Sequence, residues 1–309
     1  SFPRLLTFFV LQPEEYMSPK NISISIGVFA YNEARNIGKV LDSLLKQKLD
    51  YVQIKEIIVI SSGSFDRTNE IVRQYVRKHK HIQLVAQLKR EGKSAAINEF
   101  MDRSKSNVLA IISGDLRLHT RAIEELGLPF LSNDVGMTGC RPLPVNTQNN
   151  PLGKEIKLLW HFHHLVSLHN PKCGEMIAFR KVLKSIPRES AVDEATIEVM
   201  LHLIGYKVVY APRSIVYNRG PKNISDFIKQ RRRVYAGHLW VQERYHYQVS
   251  TLKTASTVNI IRSYLMTHPQ DIFPAIKLVV LETISRFLGW FDYTVLHKNP
   301  FIWNMVTRD

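Results

Sequence analysis

From Ile22 to Ala30 polar and apolar positions alternate and then run apolar, as in a buried strand. A polar stretch opening at Asn32 gives way to Ile37, Val40, Leu41, Leu44 and Leu45, spaced as one face of a helix. The β-branched run Ile54 to Ile60, the turn-forming Ser61-Ser62-Gly63-Ser64 and a helical segment from Thr68 to Arg77 repeat that unit. A strand at Ile82 to Ala86, a loop at Lys89 to Lys93, a helix at Ser94 to Met101 and a strand at Val108 to Ile112 extend it. This alternation predicts an α/β fold with a Rossmann-like, mainly parallel sheet flanked by helices. Ligands of such sheets bind beyond the carboxyl ends of the strands, so Ala30, Ser61 and Ser113 are expected to face one crevice.

After Arg121 the pattern loosens. Pro142, Pro144, Asn149, Asn150 and Pro151 mark a loop, Gly153 to His169 reads as a helix and Met176 to Phe179 as a strand. A helix from about Glu194 to Ile204 stops at Gly205 before a strand at Lys207 to Tyr210, and the core is expected to close near Tyr247. Beyond Thr254, the residues Ile276, Val279, Val280, Thr283, Phe287 and Trp290 recur at helical spacing. Lys277, Glu282, Arg286 and Asp292 share that segment, which argues against a spanning helix and for an amphipathic appendage. Packing of the apolar stripe on the core is the favoured reading, with interfacial membrane contact as the alternative. The expected division is an extension over 1–20, a domain over 21–248 with halves 21–120 and 121–248, and a helical segment over 249–309.

Composition narrows the classes. In 309 residues, 45% are hydrophobic and 22% charged, which excludes a mostly disordered chain. Lysine and arginine outnumber aspartate and glutamate by 42 to 27, so the net charge of +15 favours nucleic acid, anionic lipid or phosphorylated substrates. The two cysteines, Cys140 and Cys173, form no CxxC pair and indicate neither a disulfide scaffold nor a zinc cluster. A reducing, cytoplasmic setting is expected, with a peripheral place on the cytoplasmic face of a membrane as a variant. The apolar run from Leu5 to Leu11 is too short to cross a bilayer and carries no small-residue cleavage site.

Four motifs fall in order at the predicted strand ends: Phe29-Ala30-Tyr31-Asn32-Glu33, Ser62-Gly63-Ser64-Phe65-Asp66-Arg67-Thr68, Arg90-Glu91-Gly92-Lys93 and Ser113-Gly114-Asp115. Together they resemble the nucleotide-binding half of the family 2 glycosyltransferases. Gly174 to Arg180, Asp193-Glu194 and Gln230-Arg231-Arg232-Arg233 resemble that family's acceptor loop, catalytic carboxylate motif and glutamine-arginine motif. The resemblance covers Ile22 to His238 and implies a GT-A fold with inverting transfer from a nucleoside-diphosphate sugar. It also implies a divalent cation, Mn2+ or Mg2+, and a saccharide or polyprenyl-linked acceptor, with no nucleic acid partner.

Carried over residue by residue, the resemblance places Ala30, Tyr31, Glu33, Ser62, Asp66, Arg90, Lys93, Ser113, Gly114 and Arg233 around the nucleotide sugar. Gly174, Glu175 and Gln230 fall on the acceptor side. The chemistry suits these types. A departing diphosphate needs its charge neutralised, and a strand-end carboxylate such as Asp115 is a hard oxygen ligand for the cation. Lys93 follows Gly92 at a helix start, where an ammonium and backbone donors approach phosphate closely. Arginines of the 231–233 run can clamp phosphate oxygens, Arg233 matching best. An attacking hydroxyl must lose a proton, and Glu194 is the expected base, with Asp193 competing.

The chain departs from the family at several points. Ser113 stands where the first acid of Asp-x-Asp is usual, Ser61 and Ser62 replace paired aspartates, and Val234 replaces the tryptophan of processive synthases. Single transfer is therefore expected over processive synthesis. A catalytically weakened relative and a basic nucleic-acid-binding protein are the competing readings. Asp66 could equally serve a helix start. His161, His163 and His164 lack zinc-site spacing and read as packing residues, while His238 is a speculative second metal ligand.

Overall fold

The structure, a computed structural model, describes residues 21–146, 150–247, 254–298 and 301. The expected extension over 1–20, with its apolar run, and Asn149 of the predicted loop lie outside the described residues. The first half runs β1 (Ile22–Ala30), α1 (Ile37–Leu45), β2 (Val52–Ser62), α2 (Thr68–Lys78), β3 (Ile82–Gln87), α3 (Lys93–Arg103) and β4 (Val108–Ser113). The second runs β5 (Arg117–Leu118), α4 (Ala122–Gly127), β6 (Val135–Pro144), α5 (Gly153–His169), β7 (Met176–Arg180), α6 (Asp193–Leu203), β8 (Lys207–Asn218) and α7 (Ile224–Tyr245). The helices α8 (Thr254–Thr267) and α9 (Ile272–Trp290) follow.

The sheet order is β3-β2-β1-β4-β7-β6-β8-β5. Strands β1 to β4 pair in parallel, and Ala30 stands beside Ser61 and Phe29 beside Ser113, so these strand ends share one edge. The second half is mixed rather than parallel: β7 runs against both β4 and β6, and β5 runs against β8. The physical reason lies in the β6–β7 connection, which carries α5 and returns to the edge it left instead of crossing back. Consequently β7 begins where β4 ends, with Met176 beside Ile112, and Gly174 and Glu175 reach the crevice edge.

Alternation along the strands sends Ile57 and Val59 to one core, shared with α1, and Ile58 and Ile60 to the other, shared with α3 and α6. A sheet covered on both faces needs such unbroken apolar runs. A third cluster joins Ile156 and Phe162 of α5 and Phe227 of α7 to Ala275, Leu278 and Leu281 of α9.

Helix α9 reverses one expectation. Its inward face is Ala275, Leu278, Leu281, Ser285 and Gly289, while Ile276, Val279, Val280, Phe287 and Trp290 point outward at 42–61% exposure. Small residues win the inner face because α7 lies close: a Cβ on Gly289 would stand 2.4 Å from the Arg232 carbonyl oxygen. Ion pairs from Arg231 to Glu282 and Arg232 to Asp292 fix the rotation. Gly289→Ala, favourable by helix propensity alone, is expected to destabilise the protein by about 1–3 kcal/mol through overpacking. Urea unfolding measures it, and a stabilised variant would show that Gly289 does not set the α7–α9 spacing. Among the described residues no helix is long and apolar enough to cross a membrane.

Candidate active site

The loops after β1, β2 and β3 are stitched together by side chains. Asn32 adopts a left-handed backbone (φ 54°); its N–H donates to Ser64 Oγ at 3.0 Å, and its Oδ1 accepts from the Phe65 N–H at 3.0 Å. Asp66 accepts from the Ala34 N–H at 3.0 Å and from the Thr68 N–H at 2.9 Å. Burial opposes its charge, but these bonds and that of the Thr68 hydroxyl hold the carboxyl below its ordinary range. Asp66 thus ties the first loop to the start of α2, the scaffold role that competed with nucleotide contact.

Gly63 (φ 69°) lets the β2 and β3 loops meet, since a Cβ there would lie 2.7 Å from the Arg90 nitrogen. The Arg90 guanidinium stacks 4.2 Å from the Tyr31 ring centroid, and Phe65 meets that ring edge-on. Glu33 Oε2 accepts from Asn36 Nδ2 at 2.9 Å. Ser62 carries a buried hydroxyl oxygen that no described group bonds, at the strand end where the resemblance puts the nucleotide sugar. Gly114 lets β4 turn closely under β1, its N–H donating to the Phe29 carbonyl at 2.8 Å beside Ser113 and Ala30.

At the start of α3, Gly92 (φ 94°) delivers Lys93 to the crevice. Its Nζ lies 3.0 Å from Asp193 Oδ2 and 2.7 Å from Glu194 Oε1, which open α6 one hundred residues later. Burial opposes the ammonium, yet the two carboxylates raise its pKa above the ordinary lysine value. Burial likewise opposes ionised Glu194, but Lys93, with Arg233 contributing, holds it below the usual carboxylate range. At Asp193 burial dominates and the carboxyl is pushed up. Asp193 is 4% exposed and accepts from Ser94 Oγ at 2.9 Å, which locks the α3 start to the α6 start. Glu194 is the more open of the two, at 21% side-chain exposure.

Ser94 was missed in the sequence; its place beside Lys93 at a helix start was the available signal. The arginine run divides: Arg231 and Arg232 hold Glu282 and Asp292, leaving Arg233 as the member whose charge reaches Glu194. Gln230 lies half-buried one turn away on α7. Glu175 is held at φ 62° with its Oε1 accepting from Asn218 Nδ2 at 3.0 Å, a strained position for a non-glycine residue. Gly174 has open space where a side chain would be.

Asp115 lines a cavity of about 210 Å³ together with Lys39, Arg117, Tyr217 and Arg219. His238 does not join it. It is buried, and first burial, then the charges of Lys172, Arg231 and Arg286, lower its pKa to about 3. No group of three His, Cys, Asp or Glu side chains forms a metal cage among the described residues.

The family model of Glycosyl transferase family 2 matches residues 25–187, more than half of the chain. The chain belongs to glycosyl transferase family 2. The model of Glycosyl transferase family group 2 matches residues 174–305. The relatives of this family 2 chain include the poly-beta-1,6-N-acetyl-D-glucosamine synthase of Staphylococcus epidermidis, 27% identical over 77% of this chain and 58% of that protein. A dolichyl-phosphate beta-glucosyltransferase of Trichomonas vaginalis is 24% identical over 63% of this chain and 66% of that protein. The chain spans only 33–66% of the length of the first such relatives. In fold it is similar to the mannosyltransferase PcManGT from Pyrobaculum calidifontis, solved with GDP-Man and Mn2+: TM-score 0.63, 18% identity, 89% and 87% of the two chains. The family 2 fold is thus GT-A.

Proposed function

We propose that this protein is an inverting glycosyltransferase that moves one sugar from a nucleoside-diphosphate sugar to an acceptor hydroxyl at a membrane surface. The observation that carries the reading is the Lys93 bridge, which joins the nucleotide half of the sheet to the carboxylates at the start of α6. The acceptor oxygen attacks the anomeric carbon as the bond to the diphosphate breaks, and the diphosphate leaves with the electron pair. Glu194 takes the hydroxyl proton. Lys93 and Arg233 stand to neutralise the departing phosphate, so donor arrival would draw Lys93 away from Glu194 and free the base.

Asp115, in the cavity it lines, would hold a divalent cation, Mn2+ or Mg2+, through its carboxylate. When bound, it supplies positive charge at the leaving diphosphate. The PcManGT structure contains Mn2+, which supports the cation, and the name of the dolichyl-phosphate beta-glucosyltransferase relative supports a place at a membrane surface. The outward apolar face of α9 and the net charge of +15 support a place on an anionic membrane.

Thermal shift with a panel of nucleotide sugars, with and without Mn2+, tests the donor site. A selected donor is expected to add about 2.7 kcal/mol of stability at roughly one hundred times its Kd. Asp115→Ala should lose the Mn2+-dependent part. An unchanged metal effect in that variant would remove Asp115 from the cation.

A further inference from the structure

Helix α7 is held between α9 on one side and the start of α6 on the other, and both approaches are close. Toward α9, a Cβ on Gly289 would lie 2.4 Å from the Arg232 carbonyl oxygen and 3.2 Å from Tyr235 Cβ. Toward α6, a Cβ on Gly237 would lie 2.9 Å from Val192 Cγ1, and Val192 is the residue before Asp193 and Glu194. Gly237 follows Arg233 by one turn, so the two share the α6 face of α7. Val234 and Val241 extend that face against Val192, Ala195 and Val199 of α6. A displacement of α7 at 231–233 therefore reaches the carboxylates opening α6 through packed atoms.

Two acids fix the α9 side. Arg231 donates from Nε and Nη2 to Glu282, the latter at 3.2 Å, and Arg232 donates from Nε and Nη2 to Asp292. Such forks set the plane and the position of a guanidinium as well as pairing its charge. The acids are sheltered, at 15% and 11% side-chain exposure, so salt screens these pairs little. Burial opposes the Glu282 charge, and Arg231, Arg286 and Lys172 hold the carboxyl below its ordinary range. A buried pair of this kind adds little net stability but selects one arrangement. Two of them on successive residues leave α7 one rotation about its axis. Turning the helix by roughly 20° would carry a side-chain tip about 6 Å from the axis through about 2 Å.

We propose that Glu282 and Asp292 are positioning residues of the transferase: by clamping Arg231 and Arg232 they fix the turn of α7 that presents Arg233 to the carboxylates opening α6. This rests on the transferase reading and adds two residues, 51 and 60 positions beyond the arginines they hold, to the groups that tune Glu194. The groups whose charge or titration bears on Glu194 are Lys93 of α3, Asp193 beside it, Arg233 of α7, and the thiols Cys140 of β6 and Cys173 before β7. Of these, Arg233 rides on the helix that α9 clamps. A misplacement of one ångström at such a site is worth about 10²-fold in rate.

Titration of the Glu194 carboxyl in the whole chain tests the clamp without substrate, using NMR of carboxyl-labelled glutamate assigned with Glu194→Gln. Asp292→Asn and Glu282→Gln free the turn, Arg233 withdraws, and the carboxyl is expected to titrate at higher pH than in wild type. The shift should be smaller than in Lys93→Met, because Lys93 is the stronger influence. Turnover at saturating donor should fall at least about tenfold, its acid limb moving with the carboxyl. Lys277→Met, which breaks the α9 pair with Glu155 of α5 at 2.9 Å, loosens α9 without touching the arginine run, and its carboxyl titration should match wild type. A shift there as large as in Asp292→Asn would mean general loosening of α9 and overturn the proposal. An unmoved titration in both Asp292→Asn and Glu282→Gln would do the same. Adding Arg232→Gln to Asp292→Asn should deepen the loss by less than about twofold, because the acid acts through that arginine; losses that multiply would show that it does not. Should Asp292→Asn fail to fold, Glu282→Gln decides alone. A shifted carboxyl in a protein that releases no nucleoside diphosphate from any donor sinks the transferase reading and leaves the clamp standing. Release by wild type with an unshifted carboxyl in the variants sinks the clamp alone.

Discussion

Glu194→Gln is expected to lower turnover by about 10²–10⁴-fold, the usual worth of a positioned base, while leaving nucleotide-sugar affinity within about twofold. The amide keeps the shape and still accepts from Lys93 Nζ, now 2.7 Å from Glu194 Oε1, but it cannot take a proton. Product formation under saturating donor gives the turnover, and titration gives the affinity. Turnover equal to wild type would remove Glu194 from the base role. A milder loss confined to hydroxyl acceptors, with a lipid phosphate acceptor unaffected, would show that the phosphate oxygen itself attacks, because that oxygen is already ionised.

Lys93→Met should have two separable effects. It leaves Asp193 and Glu194 without their cation, and removing one partner of a largely buried pair is expected to cost about 2–4 kcal/mol, toward the low side because Lys93 is 29% exposed. Chemical denaturation reads this loss. The second effect is on pH dependence. Wild-type Glu194 is held below the ordinary carboxylate range, so its ion pair stabilises the fold above the unfolded carboxylate pKa and is lost as pH falls through the lower folded value. The acid limb of activity should lie correspondingly low. Without Lys93, only the Glu194 backbone hydrogen bond and the Arg233 charge oppose burial, so the carboxyl rises and the acid limb moves to higher pH. An unmoved limb would show that Lys93 does not tune Glu194.

The first half of the fold was legible because β1, β4 and the second half of β2 are buried on both faces and so read as apolar runs with turn residues at their ends. The expected span of β1 coincides with the observed one, and α5 was likewise read at its observed bounds. Legibility failed where long-range pairing decides. The reversed β7 is as apolar as the parallel pair β1 and β4, and only the path of α5 determines its direction. On α9 both faces carry apolar residues, so periodicity could not choose between Leu278 and Val279; contact with α7 at Gly289 chose.

The site shows the same division. Lys93, Asp193 and Glu194 were each recognisable from local motif and helix start, but their meeting joins residues one hundred apart in sequence. The resemblance singles out Arg233 in its run, whereas the pairing of Arg231 with Glu282 and of Arg232 with Asp292 depends on the C-terminal elements and had no local signal.

The most direct test of the transferase reading is release of nucleoside diphosphate from a panel of nucleotide sugars in the presence of Mn2+ and a lipid phosphate or saccharide acceptor. Release from a selected donor by the wild-type protein is expected, with a deep loss in both Glu194→Gln and Lys93→Met when the acceptor is a hydroxyl. Neither binding nor release with any donor, or equal release by wild type and both variants, would contradict it.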